Sequence, residues 1–352
     1  MQQKTDLPKT DRQFKSVLIV QTAFLGDVLL SVPLLKNIRE QHPSVQISYI
    51  CRKGLGAFLK SSGLVDEYFE IHKGERNSYQ KVIEKLNSKV FDRIYCPHES
   101  LRSAFLVRKL HAEKKMTFAT WWSSLFFDSV IEKKSQLPEA LRQLQMLELD
   151  SDDIQKKLQN YSEKYKPEVL NEVPEWANMS IVDQEQERSL ICIFPGSVWP
   201  TKQWTKQGYI DVIKKLSAKH QVVLMGGQEE LHLANEILHE IPNVQNDVGK
   251  TSLQETLQIL KKTKIVISND SGGQHLAALA DAPTVSIFGP TVLQFGYRPW
   301  NEKIIVVQNN SITCRPCGKH GHQICPIRTH ECMTSITAKQ VLDAVDQLLG
   351  VS

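Results

Sequence analysis

The chain has 352 residues, 41% hydrophobic and 23% charged, with a formal net charge of +4. That length exceeds one ordinary compact core, so two α/β domains of a globular protein are the default. The mild charge permits an anionic substrate or a membrane surface and does not by itself indicate nucleic acid. The first twelve residues are polar without an apolar core, and no apolar run is long enough to span a bilayer, which predicts a cytoplasmic protein. In that compartment the seven cysteines are not expected to form a disulfide framework.

In chain order, residues 16–20 (Ser-Val-Leu-Ile-Val) predict a first strand, and residues 26–40 a helix with apolar residues at helical spacing. Strands follow at 45–50 and 91–96, the latter after a polar helix at 79–89. Residues 101–110 and 138–149 predict helices, the second with Pro138 at its start. This is the alternation of a parallel sheet covered on both faces. From Asp150 to Arg188 the chain turns acidic and Gln/Lys-rich, broken by Pro167 and Pro174, and reads as a linker. A second alternating series follows. It has strands at 190–194, 221–225, 265–268 and 284–288, and helices at 206–219, 229–240, 253–262, 274–280 and 337–349. The boundaries adopted are 1–165 for an N-terminal domain, 166–188 for the linker, 189–335 for a C-terminal domain, and 336–352 for a C-terminal helix. Two doubly wound Rossmann-like domains facing across a cleft follow, with ligands at the carboxyl ends of the strands.

Neither half carries G-x-G-x-x-G after its first strand, nor a G-x-x-x-x-G-K-[ST] loop, which removes most support for dinucleotide oxidoreductases and P-loop enzymes. The most informative stretch is Ser268-Asn269-Asp270-Ser271-Gly272-Gly273-Gln274-His275, between a β-branched strand and an alanine-rich helix. A strand that opens through two glycines into a helix brings free N–H groups and the positive dipole end together, which suits a phosphate. Asp270 and His275 beside it suit a sugar or its leaving group, although His275 also reads as a half-buried structural histidine. After the first strand, Gly26 permits a tight turn. Asp27 then serves either as a stabilising carboxylate in the first helical turn or as a general base. Pro195-Gly196-Ser197 follows another strand; Gly196 allows close approach, Ser197 offers a hydroxyl and Lys202 a charge for phosphate oxygens. Gly226-Gly227 reads first as a turn, with Glu229 and Glu230 opening a helix and Glu230 a candidate for a ribose. Cys314, Cys317, Cys325 and Cys332, with His320, His322 and His330 between them, have the look of a structural zinc or iron–sulfur module. Free thiols and redox-sensitive pairing are the alternatives. Cys51, Cys96 and Cys192 read as small buried hydrophobes.

Taken together, these segments resemble glycosyltransferase family 9, the ADP-heptose:lipopolysaccharide heptosyltransferases. The matching pieces are Phe24-Leu25-Gly26-Asp27, Pro195-Gly196-Ser197 with Lys202-Gln203-Trp204, Gly226-Gly227, Asn269-Asp270-Ser271-Gly272 with His275, and Phe288-Gly289-Pro290-Thr291. Asn-Asp-Ser-Gly and Pro97-His98-Glu99-Ser100 with Arg102-Ser103 resemble the heptosyltransferase II branch more than the I branch. The cysteine cluster resembles a subset of the family, and Gly273-Gln274 stand where the family usually places two small residues, or else a Leu-Met or Leu-Ser pair. The resemblance implies a GT-B fold and an inverting, metal-independent transfer of heptose from ADP-heptose. In that reading Asp27 is the general base and Lys202 a catalytic cation. Gly26, Ser197, Glu230, Asp270, Ser271, Gly272, Gly273 and His275 bind substrate. The implied acceptor is the heptosyl-Kdo–lipid A inner core, received by basic residues such as Arg52, Lys53, Lys60, Arg102, Arg108 and Lys109, at the cytoplasmic face of the inner membrane. No cofactor is required for catalysis. The competing readings are a GT-B transferase or epimerase using another sugar nucleotide, a zinc-dependent nucleic-acid-binding protein built on the cysteines, and a silent sugar-binding relative.

Overall fold

The structure, a computed structural model, describes residues 13–75, 77–164, 173–179 and 190–350. Of the expected linker at 166–188, only residues 173–179 fall among the described residues.

In the N-terminal half the elements are β1 (Ser16–Gln21), α1 (Leu25–Leu29), α2 (Val32–Gln41), β2 (Gln46–Arg52), α3 (Gly56–Ser61), β3 (Glu67–Ile71), α4 (Ser78–Leu86), β4 (Val90–Cys96), α5 (Leu101–Arg108), β5 (His111–Phe118), β6 (Ser129–Ile131), α6 (Glu139–Leu144) and α7 (Asp152–Lys164). The rest of the chain supplies β7 (Leu190–Phe194), α8 (Lys206–Leu216), β8 (Gln221–Leu224), α9 (Leu231–Glu240), β9 (Gln245–Asn246), α10 (Leu253–Lys261), β10 (Thr263–Asn269), α11 (Gly272–Leu279), β11 (Thr284–Phe288), β12 (Ile304–Gln308), α12 (Glu331–Thr334) and α13 (Ala338–Leu349).

The strands form two six-stranded sheets, ordered β3-β2-β1-β4-β5-β6 and β12-β11-β10-β7-β8-β9. Every pairing is parallel, in β1–β2 and β1–β4 as in β7–β8 and β7–β10. Read from its other edge, the second sheet repeats the order of the first, so the two halves share one topology without sharing sequence. In each, the order reverses beside the first strand, between β1 and β4 and between β7 and β10. The carboxyl ends of those strands are where such sheets bind ligands.

Burial on both faces explains why the central strands read as continuous apolar runs. Val17, Leu18, Ile19 and Val20 of β1 have no exposure, nor do Ile191, Cys192 and Ile193 of β7 or Ile265, Val266 and Ile267 of β10. The covering helices are locally encoded. Thr205 caps α8 by accepting from Gly208 N at 3.0 Å. Ser252 and Glu255 form a capping box on α10, as Thr337 and Gln340 do on α13, which ends at Gly350 in the left-handed region.

By its contacts the chain divides into two compact units. The first takes in the described residues up to Ala23, Ser31–Ser135 and those from Leu141 through α7; the second takes in Phe24–Leu30, Gln136–Ala140 and the described residues beyond α7. The segment carrying Gly26 and Asp27 therefore packs with the second unit although it follows a strand of the first. Among the described residues no helix is long and apolar enough to cross a membrane.

Candidate functional site

In the second unit the loops after β7 and β10 flank the reversal of strand order. Asn269, the last residue of β10, fastens them together. Its side-chain amide donates to the carbonyls of Pro195 (2.8 Å) and Gly196 (3.1 Å), and its carbonyl accepts from Trp204 N (2.9 Å) and Tyr209 OH (2.8 Å). These are all of the hydrogen bonds a side-chain amide of this kind readily makes in a dry interior. They place the Pro195-Gly196-Ser197 turn and the Lys202 loop beside Asp270.

There Lys202 Nζ meets Asp270 Oδ2 at 2.6 Å, with both side chains almost wholly buried. The same oxygen accepts from Thr291 Oγ1 at 2.6 Å, and Asp270 Oδ1 accepts from Gln274 Nε2 at 3.0 Å. A buried ion pair persists only when its remaining lone pairs are satisfied, and Thr291 and Gln274 do this. Gln274 also donates to the Tyr297 carbonyl at 3.2 Å and accepts from Ser286 Oγ. Its amide is thus fully used in a place where a small residue would leave Asp270 and Ser286 without these partners.

The helix α11 opens at Gly272, two residues earlier than the sequence suggests, and no side chain caps it at Ser271. Both glycines are pressed against neighbours. A Cβ on Gly273 would stand 2.6 Å from the Phe194 ring, and one on Gly272 3.3 Å from Leu25. The first turn of α11 can therefore lie directly on the end of β7, presenting backbone N–H groups at the mouth of the sheet. His275 is buried, and burial pushes its imidazole down to about 4, with Asp270 acting to raise it and Lys202 to lower it. It is neutral near pH 7, and its Nδ1 has no hydrogen-bond partner among the described residues.

α1 packs on α11. A Cβ on Gly26 would come within 3.0 Å of His275 Cδ2, and Leu25 touches Gly272. Asp27 accepts from Phe24 N at 3.3 Å. Burial raises its carboxyl above the ordinary value, Glu139 adding to the effect, while the N–H groups of Phe24 and of Asp27 itself and the charge of Lys319 oppose it. Glu230 sits across the Pro195–Ser197 turn. Its Oε2 accepts from Gly227 N at 2.9 Å, and a Cβ on Gly196 or Gly226 would lie about as close as 2 Å to its carboxylate oxygens (2.0 and 2.1 Å). Burial raises its carboxyl too, the Gly227 N–H opposing and Glu229 adding. Ser197 is buried, its hydroxyl accepting from Trp199 N at 3.3 Å. Asp27, Lys202, Ser197, Glu230, Asp270, Ser271, Gly272, Gly273, His275 and Gly26 thus all belong to the second unit, around the ends of β7 and β10.

The cysteine segment follows β12 in the second unit. All seven cysteines of the chain are free thiols, and no group of three or more His, Cys, Asp or Glu side chains among the described residues is arranged to hold a metal ion. Cys314 is exposed, whereas Cys332 is buried in the core of the second unit, where burial pushes its thiol up to about 11. The segment braces the Lys202 loop. Thr201 Oγ1 is bonded to both O and N of His322 (2.8 and 2.7 Å), His330 Nε2 lies 2.8 Å from the Thr201 carbonyl, and Arg315 donates to the Thr291 carbonyl at 2.7 Å.

Sequence reasoning passed over Asn269, Gln274 and Thr291 as site builders: the partners of Asn269 lie 60–74 residues away and that of Thr291 lies 21 away, while Gln274 joins its near neighbour Asp270 to Ser286 and Tyr297 further along. In the first unit it also missed the Thr22–His98–Ser103 cluster at the ends of β1 and β4. His98 Nδ1 lies 3.0 Å from Thr22 Oγ1 and 2.8 Å from Ser103 Oγ, and burial brings that imidazole down to about 4.

Residues 79–327 match the model of glycosyltransferase family 9 (heptosyltransferase). The chain is 29% identical to lipooligosaccharide heptosyltransferase 2 of Campylobacter jejuni over 168 residues, 46% of this chain and only about half (51%) of that one. It is 24% identical to lipopolysaccharide heptosyltransferase 2 of Salmonella typhimurium over 361 residues, covering 95% of this chain and 98% of that enzyme. The structure of the E. coli ADP-heptose lipopolysaccharide heptosyltransferase II matches with a TM-score of 0.72 at 23% identity, over 95% of this chain and 98% of that one. This likeness shows the GT-B fold expected from the sequence. With more than half of its length matched by the family model, the chain belongs to glycosyltransferase family 9, the heptosyltransferases.

Proposed function

We propose that this glycosyltransferase moves L-glycero-D-manno-heptose from ADP-heptose to a heptosyl-Kdo–lipid A type inner core, with inversion at the anomeric carbon. The observation that carries this reading is the packing of α1 on the opening of α11. It sets Gly26 against His275 and Leu25 against Gly272, so that Asp27 follows directly on the contact with the helix start. Asp27 takes the proton of the acceptor hydroxyl as that oxygen forms its bond to the anomeric carbon. The bond from that carbon to the diphosphate oxygen breaks on the opposite face, and ADP leaves with the electron pair. A carboxyl raised by burial is a stronger base than an ordinary one, which suits this step.

Negative charge grows on the departing diphosphate. Lys202, Ser197 and the N–H groups at the start of α11 are the groups that stabilise it, since fixed donors in a dry site act without reorganisation. Asp270 accepts from heptose hydroxyls while its partners hold it in place. His275, neutral and with an uncommitted Nδ1, donates to a phosphate oxygen or positions Asp270. Glu230 holds the ribose end of the nucleotide. With a lysine and a helix terminus supplying positive charge, this reading needs no metal for the chemistry. The basic residues of the first unit, among them Arg52, Lys53 and Lys60, receive the anionic acceptor, and the enzyme works at the cytoplasmic face of the inner membrane.

The test is incubation with ADP-heptose and a heptosylated Kdo–lipid A, read by mass spectrometry. One added heptose and release of ADP are expected. ADP binding without transfer to this or any inner-core acceptor would overturn the acceptor and donor assignment in favour of another sugar nucleotide. Absence of ADP binding would overturn the site.

A further inference from the structure

Four of the large exposed apolar residues of the first unit fall in two stretches, α5 and the turn after β5. α5 turns Ser103, Ala104, Leu106 and Val107 into the core. Its other face carries Leu101, Arg102, Phe105 and Arg108, followed by Lys109, all exposed. A surface helix normally carries polar residues on that side. Here two of the positions are large and apolar, Leu101 at 43% exposure and Phe105 at 58%. The turn after β5 adds Trp121 at 88% and Leu125 at 67%.

The two stretches are in contact. The Phe105 and Phe126 rings meet edge to face with centroids 4.9 Å apart. The Arg108 guanidinium lies 5.6 Å from the Phe126 ring and donates to the Leu125 carbonyl at 3.2 Å. Residues 101–110 and 117–127 contain no Asp or Glu. The acids flanking them are engaged, Glu99 with Lys133 at 2.6 Å and Asp128 with the Lys115 amide at 2.8 Å.

An apolar cluster of Leu, Phe and Trp set among Arg and Lys, with no acid inside it, matches the layered chemistry of an anionic membrane surface. Tryptophan favours the headgroup boundary, aliphatic and phenyl groups the acyl chains beneath, and cations the lipid phosphates. A second copy of this chain would bring the same cations to the same face, so like charges would oppose self-association there.

We propose that α5 and residues 119–127 form a docking surface for an anionic lipid bilayer. The inference rests on the membrane placement in the proposed function and deepens it by assigning the surface, and binding through this surface is testable with neither donor nor acceptor. The experiment is co-sedimentation of the full chain with vesicles of phosphatidylcholine alone and of phosphatidylcholine mixed with phosphatidylglycerol, without any lipopolysaccharide. Binding to the mixed vesicles that weakens with salt is expected. The Phe105→Ser/Trp121→Ser/Leu125→Ser variant is expected to bind at least about tenfold more weakly, since each exposed apolar side chain contributes by its buried area. Arg102→Gln and Lys109→Gln should each weaken binding about fivefold, the effect of one cation near an anionic surface. Near-ultraviolet circular dichroism and ADP binding, measured on the same variants, separate failure of this surface from misfolding and from failure of the transfer reading. Absence of binding to the mixed vesicles, or a folded triple variant that binds them like the parent chain, would overturn the proposal. So would a change in oligomeric mass in that variant with vesicle binding intact, which would mark the face as a protein interface.

Discussion

Lys202 Nζ and Asp270 Oδ2 stand 2.6 Å apart, with 9% and 3% of their side chains exposed. Removing one member of a buried pair strands the other charge and costs about 3–5 kcal/mol, whereas removing both charges costs far less. Lys202→Met should therefore lower the stability of the second unit by about that amount, measured by urea denaturation. Lys202→Met/Asp270→Asn should recover most of the loss. On the proposed reading, in which Lys202 supplies charge to the diphosphate, neither variant should transfer heptose at a measurable fraction of the parent rate, because regained stability does not restore that charge. Equal stability in the two variants would contradict the pairing.

Asn269 is the residue on which both loops depend. Asn269→Ala removes four hydrogen bonds and leaves the buried Trp204 N–H and the Pro195 carbonyl without these partners. Each stranded buried group costs about 1–3 kcal/mol. A loss of at least about 2 kcal/mol is expected in urea titration, with a parallel fall in ADP affinity by calorimetry. A variant that binds ADP like the parent chain would show that the loops hold without it.

The two glycines of α11 should differ. Gly273→Ala drives a methyl to 2.6 Å from the Phe194 ring, and overpacking of this kind costs about 1–3 kcal/mol. Gly272→Ala brings one to 3.3 Å from Leu25, which a small shift relieves. ADP affinity should fall markedly in the first and little in the second. The reverse order would place the close approach elsewhere.

Two buried histidines make stability depend on pH. Burial holds both His275 and His98 at about 4, below the ordinary 6.5. Above about pH 6.5 they are neutral in folded and unfolded chains alike, and no penalty exists. As pH falls toward about 4 the unfolded chain takes up protons that the folded chain refuses, so stability is lost through that window. Each shift corresponds to about 3 kcal/mol at the acid end. His98→Asn/His275→Asn should flatten the slope of urea-derived stability between those pH values, whatever it does to stability at pH 7.5 or so. An unchanged slope would mean that other groups carry the acid sensitivity.

Much of this arrangement is legible in the sequence, and what is missed has physical causes. β1, β7 and β10 are visible because strands buried on both faces must be apolar throughout. β5, His-Ala-Glu-Lys-Lys-Met-Thr-Phe, goes unseen because its first half is charged and only Met116, Thr117 and Phe118 are buried. β9, two residues long at a sheet edge, carries almost no pattern at all. At the site, Asp27, Lys202, Asp270 and His275 stand out by residue type and by position after strands. Asn269 and Thr291 do not, because their roles are defined by partners 60–74 and 21 residues away, respectively. In the cysteine segment the spacing draws the eye to a metal, whereas the contacts that tie it to the site are of another kind: the backbone of His322 and the His330 ring meet Thr201, and Cys332 lies in the apolar core.

The central claim is that Asp27 takes the proton of the attacking hydroxyl. Its most direct test is the rate of heptose transfer by Asp27→Asn against pH, with ADP affinity measured on the same preparation. The account predicts a loss of at least about a hundredfold in kcat, in the range expected for a positioned base, with ADP affinity retained. In the parent enzyme it predicts an acid limb of kcat/KM lying above the ordinary carboxyl value of 3.8, as burial of Asp27 requires. Transfer by Asp27→Asn within a few-fold of the parent rate, or the same acid limb in both proteins, would contradict it.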